Sequence, residues 1–255
     1  MLLKRVIPVL LLSKRGLYKT INFTKRKYVG DPINTVRLFN DLGADEIIII
    51  DIDATKEQRG ADISLIRDLA SECFMPLTYA GGISSITDAE EILRMGVEKL
   101  CINNAITEST ALIEDLSKEF GSSTIVISVD VKTNMFKKTV YSYKKNKSIK
   151  KNIIDYVQEI AFKGAGEIFL TNVDYEGTQR GFDYSLIKEV SESVNIPVIA
   201  HGGCGNFKNI EQAFDSGASA VACGSKFVYS GPHNAVLINY ISEDEYNILN
   251  FNKDN

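Results

Sequence analysis

Cysteine is scarce and dispersed in this sequence. Cys73, Cys101, Cys204 and Cys223 form no CxxC pair, which excludes a disulfide scaffold and leaves reduced thiols of a cytoplasmic protein as the expectation. No ligand spacing for a metal appears, and nothing calls for a cofactor. Long apolar runs are missing too, so no membrane span is expected. The short run in MLLKRVIPVLLL has no small-residue cleavage site behind it and reads as a first strand, not a signal peptide. Nor is there an excess of positive charge. With 29 Lys and Arg against 33 Asp and Glu, a formal charge of −4 argues against general nucleic-acid affinity. Two basic clusters, Lys14, Arg15, Lys19, Lys25, Arg26, Lys27 and Lys144, Lys145, Lys147, Lys150, Lys151, are either solvated loops or an electropositive mouth for an anionic substrate. Low-complexity segments and interdomain linkers are also absent.

What is present is a repeat. Pro197, Gly202, Gly203 and Gly217 return Pro76, Gly81, Gly82 and Gly96 at an offset of 121. At the same offset, Asp53, Gln58, Arg59, Gly60, Asp62, Ser64, Leu65 and Ile66 return as Asp174, Gln179, Arg180, Gly181, Asp183, Ser185, Leu186 and Ile187. Each half carries four alternating strand-like and helix-like segments. Two such halves closed into a ring leave no uncovered end, so one (β/α)8 barrel is expected over 1–255, with half-barrels of about 1–121 and 122–240 and a short tail at 241–255.

The strands are expected at Arg5–Leu12, Glu46–Ile52, Pro76–Ala80, Lys99–Asn103, Thr124–Val131, Glu167–Asn172, Pro197–His201 and Ala220–Cys223. Asp31-Pro32 starts the first helix, and a last helix is expected at Asn234–Tyr240. The long polar loop Ser13–Gly30 is a candidate lid, and Lys132–Lys151 a hairpin or flap.

Chemistry in such a barrel gathers at the C-terminal ends of the strands. Gly81, Gly82, Asn103 and Asn104, and again Gly202, Gly203, Gly224 and Ser225, fall there with helix starts beyond them. They make either tight turns or phosphate cradles, and their duplication favours two phosphate sites. Among the carboxylates Asp51, Asp130, Asp174 and Glu176, Asp130 stands out because its strand is otherwise apolar. Lys19 either contacts substrate or is merely solvated. A Cys204–His201 nucleophile pair is disfavoured, because nothing is placed to orient the histidine. At the opposite rim Arg5, Glu46, Lys99 and Glu167 each begin a strand and can close the barrel as an ion-pair ring, either a plug or a gate.

The motifs KRVIP, Lys19, GDP, LGADEIIIIDIDA, AGGI, Lys99 to Asn103, Asp130, GAGEIFLTNVDYEGTQRG and AHGGCG resemble the HisF family, the cyclase subunit of imidazole glycerol phosphate synthase, over nearly the whole chain. The resemblance implies ammonia taken from a separate glutaminase docked under the ring, passed through the gate to a bis-phosphate substrate at the top. It adds Gly177 and Thr178 to the phosphate set, and assigns catalysis to Asp130, Lys19, Glu176 and Asp51. The family's first catalytic aspartate falls on Leu11, Glu176 stands where aspartate is commoner, and His201 replaces a small residue. The LLL of strand 1 with KYVGDPIN resembles a subgroup of paralogues associated with surface-polysaccharide sugar modification. That subgroup implies an acceptor that is a phosphorylated or nucleotide-linked sugar, and a third, sugar-amidotransferase protein. Two alternatives stay open: an authentic histidine-biosynthesis cyclase in which Glu176 or His201 takes over from the missing carboxylate, and a non-catalytic ammonia conduit that activates its glutaminase.

Overall fold

In the computed structural model, which describes residues 3–134 and 137–251, the elements alternate as the repeat requires. The first half contains β1 (Arg5–Ser13), β2 (Gly16–Lys19), β3 (Lys27–Gly30), α1 (Pro32–Asp41), β4 (Ile47–Asp51), α2 (Ile63–Glu72), β5 (Leu77–Ala80), α3 (Ile86–Arg94), β6 (Lys99–Ile102), α4 (Asn104–Glu108) and α5 (Ala111–Phe120). The second contains β7 (Ile125–Asn134), β8 (Lys137–Ser142), β9 (Lys147–Ser148), α6 (Ile153–Phe162), β10 (Glu167–Asn172), α7 (Tyr184–Ser193), β11 (Val198–His201), α8 (Phe207–Asp215) and β12 (Ala220–Cys223). After these come α9 (Ser225–Val228), β13 (Tyr229–Ser230), β14 (Ala235–Val236) and α10 (Glu243–Asn250). Residues 252–255 of the expected tail, and 135–136 of the expected flap, lie outside the described residues.

Eight strands, β1, β4, β5, β6, β7, β10, β11 and β12, pair in parallel, and β12 returns to β1 to close the ring. The period-2 alternation of each strand divides the core in two. Val6, Leu10, Ile47, Ile49, Val198 and Ala200 face the helices, while Ile7, Val9, Leu11, Ile48, Val126, Phe169 and Ile199 fill the lumen. The interior is thus a packed apolar plug and not an aqueous pore.

Local chemistry sets the helix starts. Asp31 accepts from Asn34 N with Pro32 in the first turn, and Asp62 and Asp183, one in each half, cap α2 and α7 by accepting from Leu65 N and Leu186 N.

Two segments differ from expectation. Half of the expected loop Ser13–Gly30 is strand. β2 folds back antiparallel on β1 and β3 on β2, because Leu17 and Lys19 alternate inward around Tyr18. Its counterpart in the second half is the β7–β8 hairpin, where β8 folds back antiparallel on β7.

The helix expected at Asn234–Tyr240 does not form. Asn234 sits at φ 49°, Leu237 N donates to Val228 O, and Asn239 N donates to Phe227 O, so the chain folds back on α9 as a short hairpin. The helix comes later, at α10, where Ser242 and Glu245 form a capping box. Tyr240 Oη donates to Val6 O and Lys4 N to Asn250 Oδ1, which ties this end back to β1.

Candidate active site

A cavity of about 580 Å³ opens at the C-terminal rim. Its floor is the top of the lumen. Leu11, Ser128, Asp130, Phe169, Thr171 and His201 line it, with Gly81, Asn103 and Asn104 on one wall and Phe23, Tyr143 and Lys144 above. Asp51 and Glu176 also reach it.

Asp130, the expected acid–base group, lines this cavity. It is buried in β7 just before that strand leaves the barrel to pair with β8, accepts from Asn103 Nδ2 at 2.8 Å, and lies beside Ser128. Burial pushes its carboxyl up to about 7, against the partial relief of the Asn103 and Ser128 hydrogen bonds, with the Glu176 charge adding to the rise. A carboxyl in that range can both give and take a proton at neutral pH.

Glu176 is committed elsewhere. Its Oε1 accepts from Thr20 Oγ1 at 2.9 Å and pairs with Lys19 Nζ at 3.5 Å, its Oε2 accepts from Phe23 N at 3.1 Å, and its backbone O accepts from Asn22 N at 2.9 Å. It fastens the β2–β3 loop to the barrel. Asp51 is likewise engaged by Arg59 Nη1 at 2.8 Å and Nη2 at 3.1 Å, and by the N–H groups of Asp53 and Ala54.

Lys19 is buried. Its Nζ lies so close to Gly224 that a Cβ there would push the end of the lysine side chain aside. Likewise a Cβ on Gly177 would meet Thr20 O.

The two sets of candidate phosphate loops are therefore in different states. Gly81, Asn103 and Asn104 line the cavity. Gly177 and Gly224 are roofed by Lys19 and Thr20, and neither these nor Gly82, Thr178, Gly202, Gly203 and Ser225 reach its wall. Gly82 and Gly203 answer a backbone demand in each half. Gly82, at φ 70°, packs on Gly60 and Ala61, and Gly203, at φ 113°, packs on Gly181, whose N–H donates back to Gly203 O.

At the opposite rim the four ring residues meet. Arg5 pairs with Glu46 at 2.8 Å and Glu167 at 3.1 Å, and Lys99 pairs with Glu46 at 3.3 Å and Glu167 at 3.1 Å. Each cation touches both anions. Oε2 of Glu167 is buried there with no hydrogen bond among the described residues.

His201 and Cys204 do not form a nucleophile pair. His201 Nδ1 is 3.0 Å from Thr171 Oγ1, and Cys204 Sγ points to Asn206 O. Among the described residues no group of three His, Cys, Asp or Glu is placed to hold a metal, and no helix is long and apolar enough to cross a membrane.

Several neighbours were not singled out by sequence reasoning. Arg59 is one, although its recurrence as Arg180 was a signal. Thr171 and Phe169 are others, legible only once β10 is set beside β7 and β11. Tyr143 stacks edge-on to Phe23 with centroids 5.7 Å apart and so joins the flap to the β2–β3 loop above the cavity.

A closed (β/α)8 barrel, with a raised carboxyl in a cavity at one rim and an ion-pair ring at the other, narrows the class of protein. Comparison with known proteins narrows it further. The histidine biosynthesis protein family matches residues 5–233. Over 242 residues the chain is 43% identical to the Pseudomonas aeruginosa protein named "Putative imidazole glycerol phosphate synthase subunit hisF2", covering 94% of this chain and 96% of that one. It is 41% identical over 243 residues to a HisF protein of Leptospira borgpetersenii with a name of the same form, covering 94% and 96%. To the imidazole glycerol phosphate synthase subunit HisF of Helicobacter hepaticus it is 37% identical over 243 residues, covering 95% and 96%. The chain belongs to the histidine biosynthesis protein family and, within it, to the HisF type.

Proposed function

We propose that this HisF-type barrel is the ammonia-using subunit of a glutamine amidotransferase, working in the cytoplasm on a phosphorylated or nucleotide-linked sugar of surface-polysaccharide biosynthesis. The observation that carries the departure from histidine chemistry is Leu11. It lines the cavity where the resemblance calls for a catalytic carboxylate, and leucine exchanges no proton. Loss of one acid–base group costs about 10²–10⁴ in rate.

Neither substitute is free to compensate. Glu176 is bound to Lys19, Thr20 and Phe23. Burial, with the nearby Lys19 ammonium, lowers His201 to about 3 and keeps it neutral. Asp130 is left as the proton-transfer group of this reading.

A separate glutaminase would dock at the N-terminal rim. Phe74, which precedes β5, and Phe162, which ends α6, are both strongly exposed on the strand-start side that carries the ring, three strands apart, and offer two separate apolar contacts to such a partner. Neutral ammonia is suited to the apolar lumen of Ile7, Val9, Ile48 and Val126 behind the ring, whereas the ammonium ion would pay heavily for losing water there. A phosphate would sit on Gly81, Asn103 and Asn104, and a second on the Gly177, Thr178, Gly202, Gly203, Gly224 and Ser225 side once Lys19 and Thr20 move off it. The acceptor is aminated here, or ammonia passes to a third, sugar-amidotransferase protein.

The relatives' names favour a second reading, an authentic cyclase of histidine biosynthesis resting on Asp130 alone. Complementation of a histidine auxotroph lacking its own HisF separates the two. No growth with the wild-type chain supports retooling, and full growth overturns it.

A further inference from the structure

Asp130, Thr171 and His201 stand in one row. Thr171 is in register with Asp130 across β7 and β10, and with His201 across β10 and β11. Residues at this phase of the three strands point into the lumen, as Phe169 and Ile199 do two positions earlier. The backbones of Asp130 and His201 are therefore about 10 Å apart, two strand spacings, on one side of the cavity floor. A small substrate lying on that floor touches both.

The imidazole is held on two sides. Its ring stacks on Phe169 with centroids 4.8 Å apart and planes 26° apart, and its Nδ1 is 3.0 Å from Thr171 Oγ1. Thr171 is buried and its hydroxyl has Nδ1 as its one hydrogen-bond partner among the described residues. A hydroxyl that donates to Nδ1 satisfies its own proton within the protein, and this is the arrangement the proposal takes. The hydrogen of a neutral ring then sits on Nε2. That atom makes no hydrogen bond among the described residues, and its side chain lines the cavity.

We propose that His201 is a substrate-orienting residue of this cavity, a fixed neutral Nε2–H donor that binds an uncharged oxygen acceptor, a sugar hydroxyl or an amide carbonyl, beside Asp130. It exchanges no proton and so does not replace the carboxylate missing at Leu11. It supplies direction, in the way that a site built to hydrogen-bond a substrate oxygen rejects analogues lacking it. The inference rests on the reading of this cavity as the site of a phosphorylated sugar.

Two measurements test it. The first needs no ligand: long-range 1H–15N correlation spectra of the whole chain at pH 7, with the exposed His233 signals identified in His233→Gln. The Nε2–H tautomer is expected for His201, and a mixture of tautomers in Thr171→Val. An Nδ1–H tautomer or a protonated ring in the wild type overturns the proposal. The second uses inorganic phosphate and N-acetylglucosamine 1-phosphate as probes, and reads the ratio of their dissociation constants by calorimetry. His201→Phe keeps the stack on Phe169 but not the donor, and is expected to reduce the preference for the sugar phosphate about tenfold, with His201→Gln restoring it to within about threefold. An unchanged ratio in His201→Phe, including no preference in the wild type, contradicts the proposal. Failure of both probes to bind sinks the phosphate reading of the cavity, while the tautomer still decides the role of His201.

Discussion

Leu11 and Asp130 hold matching places in the two halves of the barrel. Leu11 pairs with Ile50, one residue before Asp51, and Asp130 pairs with Thr171, one residue before Asn172, while Asp51 and Asn172 correspond at the 121-residue offset. One half brings a carboxyl to the cavity floor and the other a hydrocarbon. Leu11→Asp restores a carboxyl pair across the floor. It is expected to cost about 1–3 kcal/mol of stability, read from urea midpoints at pH 7, since the new group is desolvated without a partner. In the same variant, turnover of the histidine-pathway intermediate with ammonium salts should rise above the wild-type level.

Asp130 should leave a signature in the pH dependence of stability. Its folded-state value, about 7, lies above the ordinary 3.8, so the folded protein holds the proton more tightly than the unfolded chain does. Stability contributed by the protonated form is complete below about pH 4 and is lost as the pH rises towards 7. Moving a carboxyl from 3.8 to about 7 corresponds to roughly 4 kcal/mol. Asp130→Asn should therefore gain stability relative to wild type between pH 4 and pH 8, by at most that amount. Equal pH profiles for the two proteins would show that Asp130 is not held protonated.

Glu176 is the clasp of the β2–β3 loop. Glu176→Gln leaves Lys19 buried without its counter-charge, which costs about 3 kcal/mol. It also loosens the anchoring of Thr20 and Phe23. Trypsin should cut the variant at Lys25, Arg26 or Lys27 several-fold faster than wild type under native conditions. An unchanged cleavage rate would mean that the loop is held by other contacts.

The ion ring predicts an effect on coupling at modest cost in stability. Lys99→Ala removes one cation and leaves Glu46 and Glu167 facing Arg5 alone, at an expected cost of about 1–2 kcal/mol because Lys99 is partly exposed. Under the proposed function, glutamine hydrolysis by the partner continues while aminated product falls. Hydrolysis and product falling together would argue against a gate.

Much of this architecture was legible in the sequence because its determinants are local or repeated. The alternating strands, the Asp31-Pro32 helix start and the four ring residues at strand starts could all be placed by counting, whereas the caps of α2 and α7, Asp62 and Asp183, emerged from the structure. The end of the chain was misplaced. Asn234–Tyr240 has helical composition, but Gly231-Pro232 before it and its pairing onto α9 prevail, and the capping box Ser242-x-x-Glu245 was the better signal. Tertiary placement was not legible. Whether Glu176 is free or clasped depends on a loop more than 150 positions away, and the roofing of Gly224 by Lys19 depends on how β2 folds over β1. His201 looked like a bare substitution until Thr171 and Phe169 were found beside it.

The central claim is a HisF-type barrel whose upper site has left histidine chemistry. Its most direct test is steady-state turnover of the histidine-pathway intermediate by the purified chain with saturating ammonium, beside a HisF with both aspartates. A rate at least about 100-fold below that enzyme is the predicted result, and a rate equal to it would contradict the account.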